Sequence, residues 1–227
     1  MEPLQGLWLF APNRDTQGGS AWWLEAQAQP QAEGEAGGLL IDCPALSEAN
    51  LAFLRAQAAG TLVLTGRQGH GKVLRWQQAL GWPVLVQEQE AYLLPGVERL
   101  QSFGAEHRLS GGGALLWTPG PSPGACVLHA QAAGQGVLFC GRLLLPVGPA
   151  SLAPLRTRST FHWQRQLLSL ERLRLWLAAS AGSAPIWLAS GAGLGALRGG
   201  KLGPDALQQL QSLDLEQVRY QAATADF

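Results

Sequence analysis

Apolar and polar positions along this chain switch between two periods, and the switches mark its elements. Short apolar runs bounded by Gly, Pro or polar clusters read as strands at 4–12, 21–27, 38–41, 62–64 and 83–86. Apolar residues at three- and four-residue spacing predict helices between them. One starts at Ser47 as N-cap, carries Leu51, Phe53, Leu54 and Ala58, and is ended by Gly60. The next carries Val73, Trp76 and Leu80 on one face and closes at Gly81. Turn-rich Asn13 to Gly19 joins the first two strands, and 27–37 reads as a polar loop. A Glu/Gln-rich segment follows Val86. From Val97 to Pro146 the pattern is one of β-hairpins, with strands at 106–109, 114–117, 125–129 and 136–140. The longest predicted helix spans 159–179, a last strand 186–189, and a final helix 204–213 opens with Pro204 at its first position. This order predicts an α/β (α+β) protein, a four-layer αββα sandwich of two βαβ-like halves, in one domain over residues 1–227.

Composition narrows the function classes. Of 227 residues, 47% are hydrophobic and 14% charged, which predicts a well-buried globule rather than disorder. A net charge of zero gives no electrostatic case for nucleic-acid binding. Fourteen of the 16 basic residues are Arg, beside Lys72 and Lys201 alone, a bias that a GC-rich genome explains as readily as function. No apolar run is long enough for a membrane span, and Met1-Glu-Pro-Leu-Gln does not read as a secretory signal. Cys43, Cys126 and Cys140 lack metal or redox spacing and read as free thiols of a cytoplasmic protein. Trp22 and Trp23 occupy consecutive strand positions and must face opposite ways, so one of them is expected to be exposed as an interface anchor.

The apolar run Leu62 to Leu64 leads into a Gly-broken loop and then a helix, which puts that loop at the carboxyl end of a strand. The loop, Thr65-Gly-Arg-Gln-Gly-His-Gly71, resembles the T-H-x-H-x-D-H signature of the metallo-β-lactamase superfamily. Downstream, Trp117-Thr-Pro-Gly-Pro-Ser-Pro-Gly124 resembles the family's T-P-G-H-S-P-G turn. Gly136-Val-Leu-Phe-Cys-Gly-Arg142 resembles the strand ending in G-D, and Ile186-Trp-Leu-Ala-Ser-Gly-Ala-Gly193 the late strand ending in P-G-H-G. Upstream, Gly38-Leu-Leu-Ile-Asp-Cys-Pro44 is similar to the early strand ending in I-D. The resemblance implies a metallo-β-lactamase-type sandwich and aligns Gly66, Gln68, His70, Gly71, Pro121, Arg142 and Ala192 with the family's metal ligands.

None of these residues is the ligand the family has there. Zinc centres need lone pairs from imidazole, thiolate or carboxylate; Gly, Ala and Pro side chains supply none, and a guanidinium repels the ion. The expectation is a degenerate site with no metal and no cofactor. His70, the remaining candidate ligand, reads as a hydrogen-bonded histidine, and His107, His129 and His162 as structural. Asp42 is expected to satisfy loop amides at its strand end. Arg142 carries two readings. In one it is a structural cation whose acceptors are Asp42, carbonyls after Thr65 and the Gln68 side chain. In the other it joins Arg67 in an anion pocket. The Arg156, Arg158, Arg165, Arg172 and Arg174 cluster is a solvated helix face or a partner-binding one. Three functions remain: an inactive interaction or scaffold protein, a binder of a small anion, and a metal-independent hydrolase.

Overall fold

The computed structural model describes residues 1–26, 37–154, 156–179 and 184–220. Nearly all of the loop expected at 27–37 therefore lies outside the described residues. Six strands form the first sheet: β1 (Leu7–Asn13), β2 (Gly19–Leu24), β3 (Gly38–Ile41), β4 (Gly60–Val63), β5 (Val84–Gln87) and β6 (Leu100–Phe103), in that spatial order. β1, β2 and β3 pair antiparallel, and β3 to β6 run parallel. The second sheet contains β7 (Glu106–Arg108), β8 (Ala114–Trp117), β9 (Cys126–Ala132), β10 (Gln135–Gly141) and β13 (Pro185–Ser190). These pair antiparallel from β7 to β10, while β13 adds parallel on the outer side of β10. Between β10 and β13 the chain makes a small hairpin, β11 (Leu145–Gly148) with β12 (Ser151–Ala153).

The layers follow from alternation along the strands. One face of the first sheet, with Leu7, Trp22, Ile41, Val63 and Leu85, packs against Leu115, Leu128, Val137 and Phe139 of the second. The opposite face carries Trp23, Leu40, Leu62 and Val84, covered by Leu54 of α1 (Glu48–Arg55) and by Val73 and Trp76 of α2 (Val73–Leu80). The far face of the second sheet is covered by α3 (Trp163–Ala179), which buries Leu167, Leu170, Leu173 and Leu177, and by α4 (Ala206–Ser212). A last short helix, α5 (Leu215–Tyr220), adds Leu215 to this layer. The result is the expected αββα sandwich. Among the described residues no helix is long and apolar enough to cross a membrane.

One expectation fails on this geometry. Trp22 and Trp23 do face opposite ways, yet each is only 1% exposed. β2 is covered on both faces: Trp22 meets Phe139 edge-on, and Trp23 stacks on Trp82. Gly38 and Gly60 make the slot for Trp23, since a Cβ there would come within 2.3 Å and 2.9 Å of the indole. Neither Trp is an interface anchor.

Boundaries differ for local reasons. Ser47 caps α1 through Asn50 N–H as expected, but α1 ends at Arg55, short of Ala58. α3 begins at Trp163 rather than Ser159, because the His162 ring accepts the Arg165 amide and serves as the cap. Pro204 is not the first helical residue; Asp205 stands at the N-cap with φ 50°, and the Pro204 carbonyl accepts from the Gln209 side chain.

Trp22 joins both sheets by packing and by its Nε1 bond to the Ser190 carbonyl at 3.1 Å. Trp22→Ala is expected to cost about 3–5 kcal/mol. Urea unfolding would read it, and a loss under about 1 kcal/mol would contradict the packing described.

Candidate functional site

Parallel β3, β4, β10 and β13 end at one edge of the sandwich, and the loops that follow them converge there. The loop after β4 lies beside Asp42, at the end of β3. Asp42 Oδ1 accepts the Thr65 amide at 2.8 Å, and its Oδ2 accepts the Thr65 hydroxyl at 2.6 Å. The expected amide-satisfying role of Asp42 is thus the observed one. It also explains Gly69: a Cβ at that position would lie 2.0 Å from Asp42 Oδ1. Asp42 has φ 58° and is 5% exposed. Burial raises its carboxyl to about 6, with the Thr65 bonds, His70 and Arg142 acting in the opposite direction.

The chain crosses between the two halves at very short range. Thr65 O accepts the Cys126 amide at 2.9 Å, and a Cβ on Gly141 would meet Thr65 Oγ1 at 2.7 Å. Gly191 N–H donates to Gly141 O at 2.8 Å, and Ser20 N–H donates to Gly191 O at 3.2 Å. A Cβ on Gly19 would strike that same Gly191 oxygen at 2.8 Å. Glycine is needed here for approach, and at Gly141, with φ 52°, for conformation as well.

Arg142 follows this contact. Its Nη2 donates to Thr16 O and Gln17 O, both at 2.9 Å, and so ties the β1–β2 turn to the end of β10. The expected acceptors were Asp42, carbonyls after Thr65 and Gln68. The turn carbonyls replace them because the 13–18 turn folds over the strand end, fixed by Asn13, whose Oδ1 accepts the Thr16 amide. Burial depresses the guanidinium below its usual range, and Asp42 partly opposes that shift.

The other candidates divide into two groups. Gly66, Gln68, Pro121 and Arg142 surround a cavity of about 10 Å³, room for one water. Gln68, Pro121 and Arg142 also line an open cleft of about 700 Å³, together with Ala192, Arg158, Thr157, Ser159 and Thr160. His70 and Gly71 line neither. His70 Nε2 sits 3.3 Å from Glu90 Oε2, and Arg67 Nε lies 3.6 Å from Glu90 Oε1. Arg67 is therefore drawn away from Arg142, and the expected Arg67–Arg142 pair is not assembled. Arg158 shares the cleft with Arg142 instead.

Glu90 is the residue that sequence reasoning missed. It is fully buried, and its Oε1 accepts the Gly124 amide at 3.0 Å. Burial alone would raise its carboxyl; His70, Ser122 and the Gly124 amide outweigh this and hold it below the usual range. One carboxylate thus gathers the 66–71 loop and the 118–125 turn. Its only sequence signal is a place in a Glu/Gln-rich run, which carries no geometry.

The donor set does not fit a zinc or iron centre. Among the described residues no three His, Cys, Asp or Glu side chains converge as metal ligands. Gly66 and Ala192 offer no donor, and Pro121 offers none from its ring. Arg142, which the sequence resemblance aligns with the bridging carboxylate, carries a guanidinium. The backbone also leaves little room for a ligand side chain: Gly71 has φ 46°, and a Cβ there would lie 3.0 Å from Cys43 Cβ and 3.1 Å from Thr16 Cγ2. A Cβ at Gly66 would lie 3.0 Å from Ser122 Oγ. The three cysteines are buried free thiols, and burial pushes Cys140 up to about 12.

Two outcomes are expected. Asp42 has a folded pKa of about 6 against an ordinary 3.8, so the folded state binds the extra proton. Its contribution is lost as pH rises from about 4 to 6, by on the order of 2–3 kcal/mol. Asp42→Asn, which tolerates the left-handed backbone, removes this dependence; the melting temperature of the variant should gain on the wild type between pH 4 and 7. Parallel curves would refute the assignment. Arg142→Ala leaves two turn carbonyls without donors and is expected to cost about 1–3 kcal/mol in plain buffer. An unchanged melting temperature would show that the latch contributes nothing.

No protein-family profile and no curated protein matches this sequence. Solved structures do match. The MIM-2 metallo-β-lactamase superposes with a TM-score of 0.61 at 18% identity, covering 98% of this chain and 89% of that one. ST1585 from Sulfolobus tokodaii, an archaeal metallo-β-lactamase superfamily protein, gives 0.58 at 13% identity, covering 98% and 90%. TTHA1623, solved in a di-iron-bound form, gives 0.57 at 20% identity, covering 84% and 92%. The chain has the metallo-β-lactamase superfamily fold, in a degenerate form in which no three His, Cys, Asp or Glu among the described residues could hold a metal ion.

Proposed function

We propose that this protein is a pseudoenzyme: it keeps the fold without the metal chemistry and acts by binding rather than by hydrolysis. The observation that carries the reading is Arg142. The sequence resemblance aligns it with the family's bridging carboxylate, and two backbone carbonyls hold this cation in place. Such a body works as an interaction or scaffold protein of the cytoplasm, including as the inactive companion of an active relative. A second reading, binding of a small anion in the former active-site cleft, is favoured by the basic and hydroxyl-rich lining around Arg142 and Arg158. Arg67, held at Glu90, is not part of it. Metal-independent hydrolysis has no support in the geometry, because the buried Ser122 and Glu90 and the half-buried His70 side chains line neither cavity.

Purified protein is expected to carry well under one equivalent of zinc, iron or manganese. Metal analysis after dialysis tests this, and stoichiometric metal would sink the reading. Arg142→Asp alone is expected to restore no hydrolysis of a β-lactam, thioester or phosphoester. Gly66, Gly71, Pro121 and Ala192 would still give no ligand, and the backbone at Gly71 admits no side chain without strain. Turnover by that single variant would show that the ligand positions have been misassigned.

A further inference from the structure

Arg142 brings to the open cleft a positive charge that no carboxylate among the described residues pairs with. Arg142 is half-buried, and among the described residues no carboxylate lies within ion-pair distance of it. A guanidinium carries five N–H donors. Two of them, on Nη2, go to Thr16 O and Gln17 O; Nε and Nη1 donate to nothing among the described residues. Gln68 is 8% exposed and lines both cavities, and its side-chain amide has no hydrogen bond among the described residues. These donors face the open cleft, where an acceptor of matching charge takes the place of water.

The segment before α3 adds to this. Arg158, Thr157, Ser159 and Thr160 line the same cleft. The hydroxyls stand together, with Thr157 Oγ1 3.0 Å from Ser159 Oγ and 3.3 Å from Thr160 Oγ1. Hydroxyl protons rotate and can turn toward an incoming oxyanion. Leu145, Pro121 and Ala192 give the cleft an apolar part, and Gln166 Oε1 is a buried acceptor without a partner. At about 700 Å³ the space is far larger than a bare inorganic ion and matches a whole small molecule.

Building on the small-anion form of the reading above, we propose that this cleft binds a phosphate monoester. Arg142 and Arg158 hold the phosphate with Gln68 and the Thr157, Ser159 and Thr160 hydroxyls, and the organic body lies along Leu145 and Ala192. Phosphate is favoured over carboxylate because donors reach it from several parts of the lining. A tetrahedral group with three free oxygens can use them all, whereas a planar carboxylate presents two.

The probe is phenyl phosphate, titrated calorimetrically and by thermal shift, beside inorganic phosphate, benzoate and chloride at equal ionic strength. Wild type is expected to bind phenyl phosphate saturably, more tightly than inorganic phosphate or benzoate. Arg158→Ser and Gln68→Leu are each expected to weaken it about tenfold, the loss of one strong hydrogen bond. Arg67→Ser, facing Glu90, is expected to bind as wild type does. Absence of saturable binding, an equal response to benzoate or chloride, or unchanged affinity in both cleft variants would overturn the proposal. Each sample is also analysed for metal and for release of phenol. Phenol release or bound metal defeats the pseudoenzyme reading and leaves the binding result standing; inert, metal-free protein that ignores phosphate defeats this inference alone.

Discussion

The contact between Asp42 and Thr65 sets the position of everything else at the cleft. Thr65 gives its amide and hydroxyl to one carboxylate and its carbonyl to Cys126, so a single residue registers β3 and β4 against β9. The contact is closed by glycines rather than by side chains. Gly69 makes room for the carboxylate, and Gly141 lies against the Thr65 hydroxyl. Because each glycine lies directly against a side chain already fixed by short hydrogen bonds, the geometry tolerates little adjustment. A methyl group at either glycine would push the halves apart or displace the loop. The carboxylate is held against its own desolvation, which is why burial raises it to about 6 despite two short hydrogen bonds.

Around that lock, two groups of opposite charge organise the loops. Glu90 draws in Arg67, His70 and the Gly124 amide on one side. Arg142 draws in the Thr16 and Gln17 carbonyls on the other. A metal ion can bind several loops at once because it accepts several lone pairs at one point. Here the same loops are shared between an anion and a cation, each satisfying only the groups on its own side. The separation matters for function. Glu90 has cationic neighbours that hold its carboxyl below the usual range, whereas the hydrogen-bond partners of Arg142 are neutral carbonyls. The carbonyls orient the guanidinium but leave its net charge in place.

The fold was legible in the sequence because its signals are local and repeated. Gly81 ends α2 with φ 68° as its position in the chain suggests, and Ser47 caps α1 through the expected amide. β6 left no such trace: its Gln101 and Ser102 are exposed on a sheet edge and do not alternate with apolar residues. The β11–β12 hairpin carries Pro146 and Gly148, which read as loop. At the site, motif spacing aligned Gly66, Gln68, His70, Gly71, Pro121, Arg142 and Ala192; Gln68, Pro121 and Arg142 line both cavities, Gly66 and Ala192 one each, and His70 and Gly71 neither. The partner of each charged side chain did not follow. Arg67 and Arg142 each fall in a landmark motif, yet Arg67 meets Glu90 and lines neither cavity. Trp22 and Trp23 show the same limit. Their alternation was legible, but whether the outer face of β2 meets solvent or helices is decided by α1 and α2, elements far along the chain.

What distinguishes a structural arginine from a binding one is how its donors are used. A guanidinium buried purely for stability would be expected to engage its donors broadly and to sit beside a carboxylate, since desolvating the charge is otherwise costly. Arg174 approaches the first condition: it bridges α3 to α4 by donating from Nε to Leu210 O and from Nη2 to Leu213 O, the last carbonyls of a helix, where a cation is favoured. Arg142 meets neither condition. It spends one nitrogen on orientation and keeps the rest of its fork toward a cleft that also holds a second arginine and three hydroxyls. Asp42 contributes attraction through space without contact, and it too is desolvated, with its carboxyl raised to about 6. The carbonyl latch therefore explains why Arg142 stays where it is. It does not explain why a charge is kept there, and that excess of donors is the feature an oxyanion would satisfy.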